Sequence, residues 1–407
     1  MPAVTSVAPR LQPQPAVRAA PAGALVLGAD YRGLGVVRSL GRRGIPVCVL
    51  THPGETLAAH SRYARRARAW EPGDVDGLLA LAAEHGLDGW ALFPTTDEAA
   101  ALVGRHHARL GERFTLTSPS WDVVRWAYDK RATHRLARAT GVDHPATEYP
   151  RDAADVTALE LDYPVILKPA IKEGFNRLTA AKAWRVDSRE ELLARYEEAC
   201  GLVDPELLMI QELIPGGGEA QLSYAALAVD GRVAASLVAR RTRQYPADFG
   251  RASTFVETVE APEAIGPSER LIEAMDFTGI VELEYKRDPR NDLLKLLDVN
   301  PRVWGWQSLC GVAGVDFPYL LWLHVSGEPL PRVEARAGVR WLRLSTDTPT
   351  ALKELLRGRL PVREYLRSLA GRHAGAIFAA DDPLPALMEG PLLVKLLLRR
   401  LASGDGV

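Results

Sequence analysis

Between residues 24 and 110 the chain alternates short apolar runs with longer segments of mixed polarity. Ala-Leu-Val-Leu-Gly at 24–28, Pro-Val-Cys-Val-Leu at 46–50 and Trp-Ala-Leu-Phe at 90–93 are nearly all apolar, the pattern of strands buried on both faces. The stretches 34–43 and 74–85, and the one after Asp97, are helical in character. Such alternation predicts an open parallel sheet with helices on both faces, ending near Leu110. Residues 119–140 continue the chain as helix.

After Pro145 the pattern changes. Tyr-Pro-Val-Ile-Leu-Lys-Pro at 163–169 reads as a strand, followed by the polar turn Lys-Glu-Gly-Phe-Asn-Arg at 172–177. A strand near 179–186, a helix over 188–199 and a strand at 207–212 complete a small α+β unit. A larger strand-rich unit runs from Glu219 to about Val299, with one helix over about 263–275, and a further helix spans 316–325. Residues 1–21, rich in Pro, Ala and Val with only Arg10 and Arg18 charged, are expected to be a disordered leader. Residues 331–407 form an extension whose place the pattern leaves open. Its segment 390–401 is apolar with three basic residues. It is expected to pack against the body or another subunit rather than lie on an anionic membrane, being short and apolar nearly all round.

Length and charge narrow the classes. A chain of 407 residues suits two or three domains. Lys plus Arg (50) balance Asp plus Glu (51), so no long-range field that draws in nucleic acid is expected. Cys48, Cys200 and Cys310 are far apart and odd in number, which points to a reducing cytoplasm rather than a disulfide or zinc framework. No stretch approaches the roughly 20 apolar residues of a membrane span, and no signal-peptide pattern opens the chain.

Three motif readings fail. Gly-Ala-Asp-Tyr-Arg-Gly-Leu-Gly at 28–35 has the wrong spacing for a dinucleotide fingerprint, and the second strand ends without a ribose-binding acid. Leu34-Gly35 stands where a phosphate-binding P-loop needs Lys-Ser/Thr. Two readings of this turn remain open: a small-ligand site at the helix N-terminus, or a tight turn only. His106 and His107 sit on a polar helix as solvated side chains, and no serine or cysteine nucleophile signature is present.

The chemistry concentrates at 279–302. Residues 279–288 and 293–302 read as two strands joined by a turn at 289–292. Alternation puts Glu282 and Glu284 on one face, and Asp298 with Asn300 on one face of the partner strand. Paired strands bring such positions within about 5 Å. Carboxylates and an amide oxygen are hard donors that suit Mg²⁺ better than zinc, and Mg²⁺ usually completes its shell with water and phosphate. Asp298 lies in an apolar strand, where an unpaired charge would be costly.

An acid on one strand, then acid-x-Asn-Pro-Arg on the next, resembles the metal hairpin of the ATP-grasp superfamily. The resemblance covers roughly residues 22–330. It implies a pre-ATP-grasp α/β domain over 22–126 and an ATP-grasp domain over 127–330, with a small lobe at about 145–212 and a large lobe at about 213–330. The fold class expected is thus an α/β open parallel sheet followed by a two-lobed α+β ATP-grasp domain. By this resemblance Lys130 and Lys168 meet the nucleotide phosphates, and Lys172 and Gly174 belong to the loop that closes over them. Gln211, Glu212 and Ile214 form the adenine-binding hinge, and Glu219 holds the ribose. Glu284, Asp298 and Asn300 are the implied metal ligands, and Arg302 steadies the transferred phosphoryl group, with Lys168 assisting catalysis.

Within the superfamily, the arginine-rich segments at 240–246 and 249–251 and Asn-Pro-Arg-Val-Trp-Gly-Trp at 300–306 look like carboxylate–amine ligases, with D-aspartate ligase a more distant relative. The implied activity is amide formation through an acyl phosphate, using ATP with Mg²⁺ or Mn²⁺, on small-molecule carboxylate and amine substrates. Arg241, Arg243 and Arg251 are the candidate carboxylate holders, since guanidinium forks match carboxylates in two-point geometry. Arg241 and Arg243 are expected to share a strand face, with Arg240 turned away. Trp304 and Trp306 serve either as acceptor-pocket walls or as core. Two departures from the family pattern stand out: Asp298 replaces the commoner Glu, and the phosphate loop holds one glycine. The competing readings are an ATP-binding regulator or inactive homologue, and another ATP-grasp phosphotransferase or carboxylase component. Oligomerisation is left open.

Overall fold

The computed structural model describes residues 20–171, 183–245 and 252–403, with the side chains of the last helix described as far as 394. The first sheet contains β1 (Ala24–Leu27), β2 (Val47–Thr51), β3 (Arg66–Ala69), β4 (Ala91–Pro94) and β5 (Thr115–Leu116). All its pairings are parallel, in the order β3-β2-β1-β4-β5. Helices α1 (Tyr31–Gly41), α2 (Val75–His85), α3 (Asp97–Arg105) and α4 (His107–Gly111) connect them. The glycine turn after β1 is required by packing. Gly28 has φ of +118° and a Cβ there would collide with Thr95 Oγ1, while Asp30 caps α1 by accepting from the Arg32 and Gly33 amides.

The predicted helix over 119–140 is two helices, α5 (Trp121–Tyr128) and α6 (Lys130–Ala139). Asp129 between them is extended, caps α6 through the Arg131 amide, and bridges to Ile171. Lys130 is therefore held at a helix start beside a strand end, its amide donating to the Ala170 carbonyl at 2.8 Å.

A four-stranded antiparallel sheet follows, ordered β6-β9-β7-β8, from β6 (Thr147–Glu148), β7 (Val165–Pro169), β8 (Trp184–Val186) and β9 (Leu208–Glu212). Helices α7 (Ala153–Ala158) and α8 (Arg189–Cys200) accompany it. Their apolar faces enclose a separate small core around Val165, Leu167, Tyr196 and Ile210.

The largest sheet holds β10 (Gln221–Val229), β11 (Arg232–Tyr245), β12 (Ala252–Thr258), β13 (Gly279–Arg287) and β14 (Leu294–Asn300), flanked by α9 (Ile265–Ala274), α10 (Gln307–Ala313) and α11 (Phe317–Val325). Two strands from the extension, β15 (Arg340–Leu342) and β16 (His373–Gly375), complete it in the order β14-β13-β10-β11-β12-β15-β16. Trp304, Trp306 and Trp341 are buried in a core that this sheet shares with β1, β2 and α1 of the first. Core filling thus describes Trp304, while Trp306 also has an edge on the central cleft.

The extension that the sequence left unplaced also supplies α12 (Leu344–Leu356), α13 (Val362–Ser368) and α14 (Leu384–Ser403). It is clasped to the first sheet by adjacent carboxylates. Asp382 accepts from Arg38 Nε (2.8 Å), Ser61 Oγ (2.6 Å) and the Arg62 amide (2.9 Å), while Asp381 takes both Arg42 Nε and Nη2 and the Tyr63 hydroxyl. No single helix among the described residues is long and apolar enough to cross a membrane.

Candidate active site

One cleft of about 1520 Å³ lies where the three sheets meet. That exceeds the roughly 300–1,000 Å³ typical of one small-molecule site, so a nucleotide and a second substrate fit together. The first sheet contributes Tyr31, Arg32, Asp97 and Glu98; the small sheet contributes Lys168 and Gln211; the large sheet contributes Arg241, Glu284, Asp298 and Asn300.

The hairpin sets the floor. In β13–β14, Glu282 lies opposite Asn300 and Glu284 opposite Asp298. Asn300 Nδ2 donates to Glu282 Oε2 (3.1 Å) and Glu284 Oε1 (2.9 Å), which leaves its Oδ1 on the Arg302 side. Each flanking acid also has a cation. Lys130 Nζ donates to Asp298 Oδ1 at 2.7 Å, and Arg241 pairs with Glu284 while its Nε donates to Ser253 Oγ. Glu282 is buried behind them, accepting from the Trp306 indole. Burial, then the neighbouring Glu284 carboxylate, push Glu282 above the usual carboxylate range, with Arg241 and Arg302 pulling the other way.

This donor set fits a hard divalent cation. The Glu284 and Asp298 carboxylates lie opposite each other on paired strands, Asn300 carries an amide oxygen on the Arg302 side, and Mg²⁺ or Mn²⁺ suits oxygen donors of this kind. Among the described residues no three His, Cys, Asp or Glu side chains form a cage by themselves, so water and phosphate would supply the remaining ligands.

Lys168 Nζ donates to Gln211 Oε1 at 2.8 Å, and Gln211 Nε2 donates to Thr147 Oγ1. Gln211 is thus a buried holder of Lys168. Glu212 takes the Ala146 amide, Arg290 and Lys295, and the Ile214 carbonyl accepts from Lys286 at 2.8 Å. Glu219 is exposed, its carboxylate on the Gly217 amide, and stands outside the residues lining the cleft. Lys172, Gly174 and Arg251 lie outside the described residues.

Arg241 and Arg243 do not share a face as alternation predicts. Register irregularities between β11 and β12 fall on both sides of Arg243, which shifts its side chain out of phase. Arg241 enters the cleft. Arg243 instead makes a two-point contact with buried Asp347 of α12 (2.7 and 2.8 Å) and lies over the Phe255 ring. It ties β11 to the extension and stands outside the residues that line the cleft.

Asp97 is a cleft residue that motif reading missed. It begins α3 straight after β4, and its Oδ2 accepts from Arg302 Nη2 at 2.7 Å. Arg302 also donates to the Val303 carbonyl and to Asn300 Oδ1. Burial opposes the Arg302 charge, but the Asp97 carboxylate beside it holds the guanidinium above its ordinary value. The signal for Asp97 was present: ligands gather at the carboxyl ends of strands where a parallel sheet reverses its order, here between β1 and β4.

His134, one turn along α6 from Lys130, stacks on His144 at 4.7 Å and lies 2.8 Å from the Tyr149 hydroxyl. Burial, then His144, Lys130 and Lys168, press it from 6.5 to about 3. His134 is then neutral in the folded protein while the unfolded chain protonates near pH 6.5. Stability from this group is complete above about pH 6.5 and declines as pH falls toward 3, by about 2 kcal/mol at pH 5. His134→Gln is expected to flatten that decline. Urea midpoints at pH 7 and pH 5 measure it, and an equal drop in both proteins would remove His134 as the source.

A parallel sheet, a small antiparallel lobe and a large sheet meeting over this cleft form the ATP-grasp fold. Residues 204–346 match the family model described as ATP-grasp in the biosynthetic pathway with Ter operon. D-aspartate ligase of Enterococcus faecium (strain Aus0004) is 23% identical over 301 residues, covering 68% of this chain and 70% of that protein. Among solved structures, L-amino acid ligase from Bacillus licheniformis superimposes with a TM-score of 0.61 at 14% identity, over 77% of each chain. The biotin carboxylase domain of Hydrogenobacter thermophilus 2-oxoglutarate carboxylase, in complex with MgADP, ADP and bicarbonate, gives a TM-score of 0.62 at 18% identity, over 78% of this chain and 73% of that one. The chain therefore has the ATP-grasp fold, and its residues 204–346 match an ATP-grasp family model.

Proposed function

We propose that this chain is an ATP-dependent carboxylate–amine ligase. The observation that carries the reading is that Lys130, Lys168, Arg241 and Arg302 line a single cleft together with Glu284, Asp298 and Asn300. Similarity to D-aspartate ligase supports the same reading.

The reaction has two displacements. A substrate carboxylate oxygen attacks the γ-phosphorus of ATP, and the bond from that phosphorus to the ADP oxygen breaks. The amine nitrogen then attacks the acyl carbon, the carbon–oxygen bond to phosphate breaks, and the amine proton is lost, giving amide, ADP and phosphate. Catalysis of the first step is positioning and charge neutralisation. Lys130 and Lys168 neutralise phosphate oxygens, and Arg302 offers a planar fork to the transferring group. Mg²⁺ held by Glu284, Asp298 and Asn300 would draw charge from the β- and γ-phosphates. Arg241, fixed by Glu284 and Ser253, holds the substrate carboxylate, and Arg251 is proposed as its companion. Gln211, Glu212 and Ile214 border the adenine, with Glu219 proposed for the ribose, and Lys172 and Gly174 for closure over the phosphates. The domain limits at residues 126 and 330 belong to the same reading.

Phosphate release measured against panels of amino acids and amines tests the proposal. A ligase releases phosphate only when both an acid and an amine are present. Release driven by bicarbonate without amine would identify a carboxylase-type enzyme, and the absence of any turnover would identify a regulator.

Asp97 acts in this reaction by orienting Arg302. Asp97→Asn keeps the shape but weakens a charged contact, so kcat is expected to fall roughly tenfold with KM for ATP unchanged. A change confined to KM for ATP would place Asp97 with the nucleotide instead.

A further inference from the structure

The extension carries a surface whose chemistry the cleft does not use. In α12, Leu352 and Leu356 lie one turn apart; in α13, Val362 and Leu366 have the same spacing, and Leu369 follows at the helix end. All five are exposed, from 39% to 81%. Both helices are anchored through Arg243, which bonds Asp347 of α12 and Ser368 of α13, and leave these large apolar side chains open to solvent. Beside it, α14 exposes Leu384, Leu387, Leu393 and Val394 and is tied to the start of α12 by a Ser345–Glu389 hydrogen bond of 2.6 Å.

Basic residues interleave with these leucines. Residues 352–372 contain Lys353, Arg357, Arg359, Arg363, Arg367 and Arg372 against only Glu354 and Glu364. Glu354 already serves both Arg357 and Arg359. Among the described residues Lys353, Arg363 and Arg367 have no ion-pair partner. The excess of positive charge is local, since the whole chain carries a net charge of only −1.

We infer that the α12–α13 face docks on an anionic lipid surface. The charge decides between occupants. A second copy meeting the same face would bring two surfaces with an excess of positive charge together, which opposes self-pairing. A nucleic acid would use the arginines but leave the exposed leucines in water or against phosphate. A bilayer interface satisfies both groups: apolar side chains enter the acyl boundary while the long basic side chains stay at the headgroups. The helices lie on the surface and do not span it.

The full chain and extruded vesicles test this. Vesicles of phosphatidylcholine with about a third phosphatidylglycerol should co-sediment the protein, and binding should weaken as salt rises. Pure phosphatidylcholine vesicles should bind roughly tenfold less or worse. Leu356→Ser/Leu366→Ser and Arg363→Glu/Arg367→Glu should each lower the partition roughly tenfold while melting temperature and ATP turnover stay unchanged. Equal binding to both vesicle types, no binding to either, or full binding by the leucine variant would overturn the proposal. So would light scattering that shows a dimer broken by the leucine variant, since the face would then be a self-interface. Salt-sensitive capture by RNA that ignores the leucine variant would overturn it as well. The outcome is independent of which acid and amine the cleft uses.

Discussion

Asp298→Asn should lower ADP formation by roughly a thousandfold or more, the several kcal/mol that a metal ion supplies to phosphoryl transfer. Asp298 is the acid that Lys130 grips at 2.7 Å, so the proposed metal ligand and the proposed phosphate-binding lysine are in direct contact. The substitution removes one charge and leaves the side-chain shape, and both partners keep some solvent contact, with side chains 12% and 17% exposed. The fold should therefore survive. Binding of a non-hydrolysable ATP analogue without metal should be little changed, because the lost interaction acts through the cation. Isothermal titration with and without Mg²⁺, beside a coupled ADP assay, separates these effects. A turnover within tenfold of the parent, with the same Mg²⁺ dependence, would remove Asp298 from the metal site.

The second large effect concerns stability. Asp382→Ala should destabilise the protein by about 3–5 kcal/mol, because it strands a buried guanidinium. Arg38 and Asp382 are only 6% and 1% exposed, and the same carboxylate also takes Ser61 and the Arg62 amide. Three donors would lose their acceptor at once. The melting temperature should fall by on the order of 10 °C. Asp381→Ala should have a much smaller effect, since its contact with Arg42 is over 40% exposed on both sides and such pairs contribute at most about 1 kcal/mol. Equal shifts for the two variants would show that the clasp draws its strength from somewhere other than the buried pair.

Much of the candidate site was legible because it is local. Alternation along 279–288 and 293–302, joined by a short turn, is enough to set Glu284 beside Asp298, and β13–β14 has that register. Apolar runs of four or five residues likewise announced β1, β2 and β4, because a strand covered on both faces has no polar positions to spare.

What failed was any inference that needed a count to hold across an irregularity or a partner distant in sequence. Arg243 leaves the face of Arg241 because period two does not run unbroken through β11. The register shifts in β11–β12 depend on how two strands and the following loop accommodate each other, which one strand's composition does not encode. The break at Asp129 was invisible for a related reason: its backbone leaves the helix to pair with Ile171, far along the chain.

The sequence alone determined the parallel first sheet and the acid-bearing β13–β14 hairpin, because each rests on neighbours a few residues apart, and its resemblance to a known superfamily implied the ATP-grasp architecture. Tertiary structure alone decided that Asp97 holds Arg302, that Arg243 serves Asp347, and that Asp381 and Asp382 clasp the extension to the first sheet. Each of these is an arginine–carboxylate pair separated by more than 100 residues. With 50 basic and 51 acidic side chains in the chain, such pairings are too numerous to choose by type, and only burial and the direction of each side chain select among them.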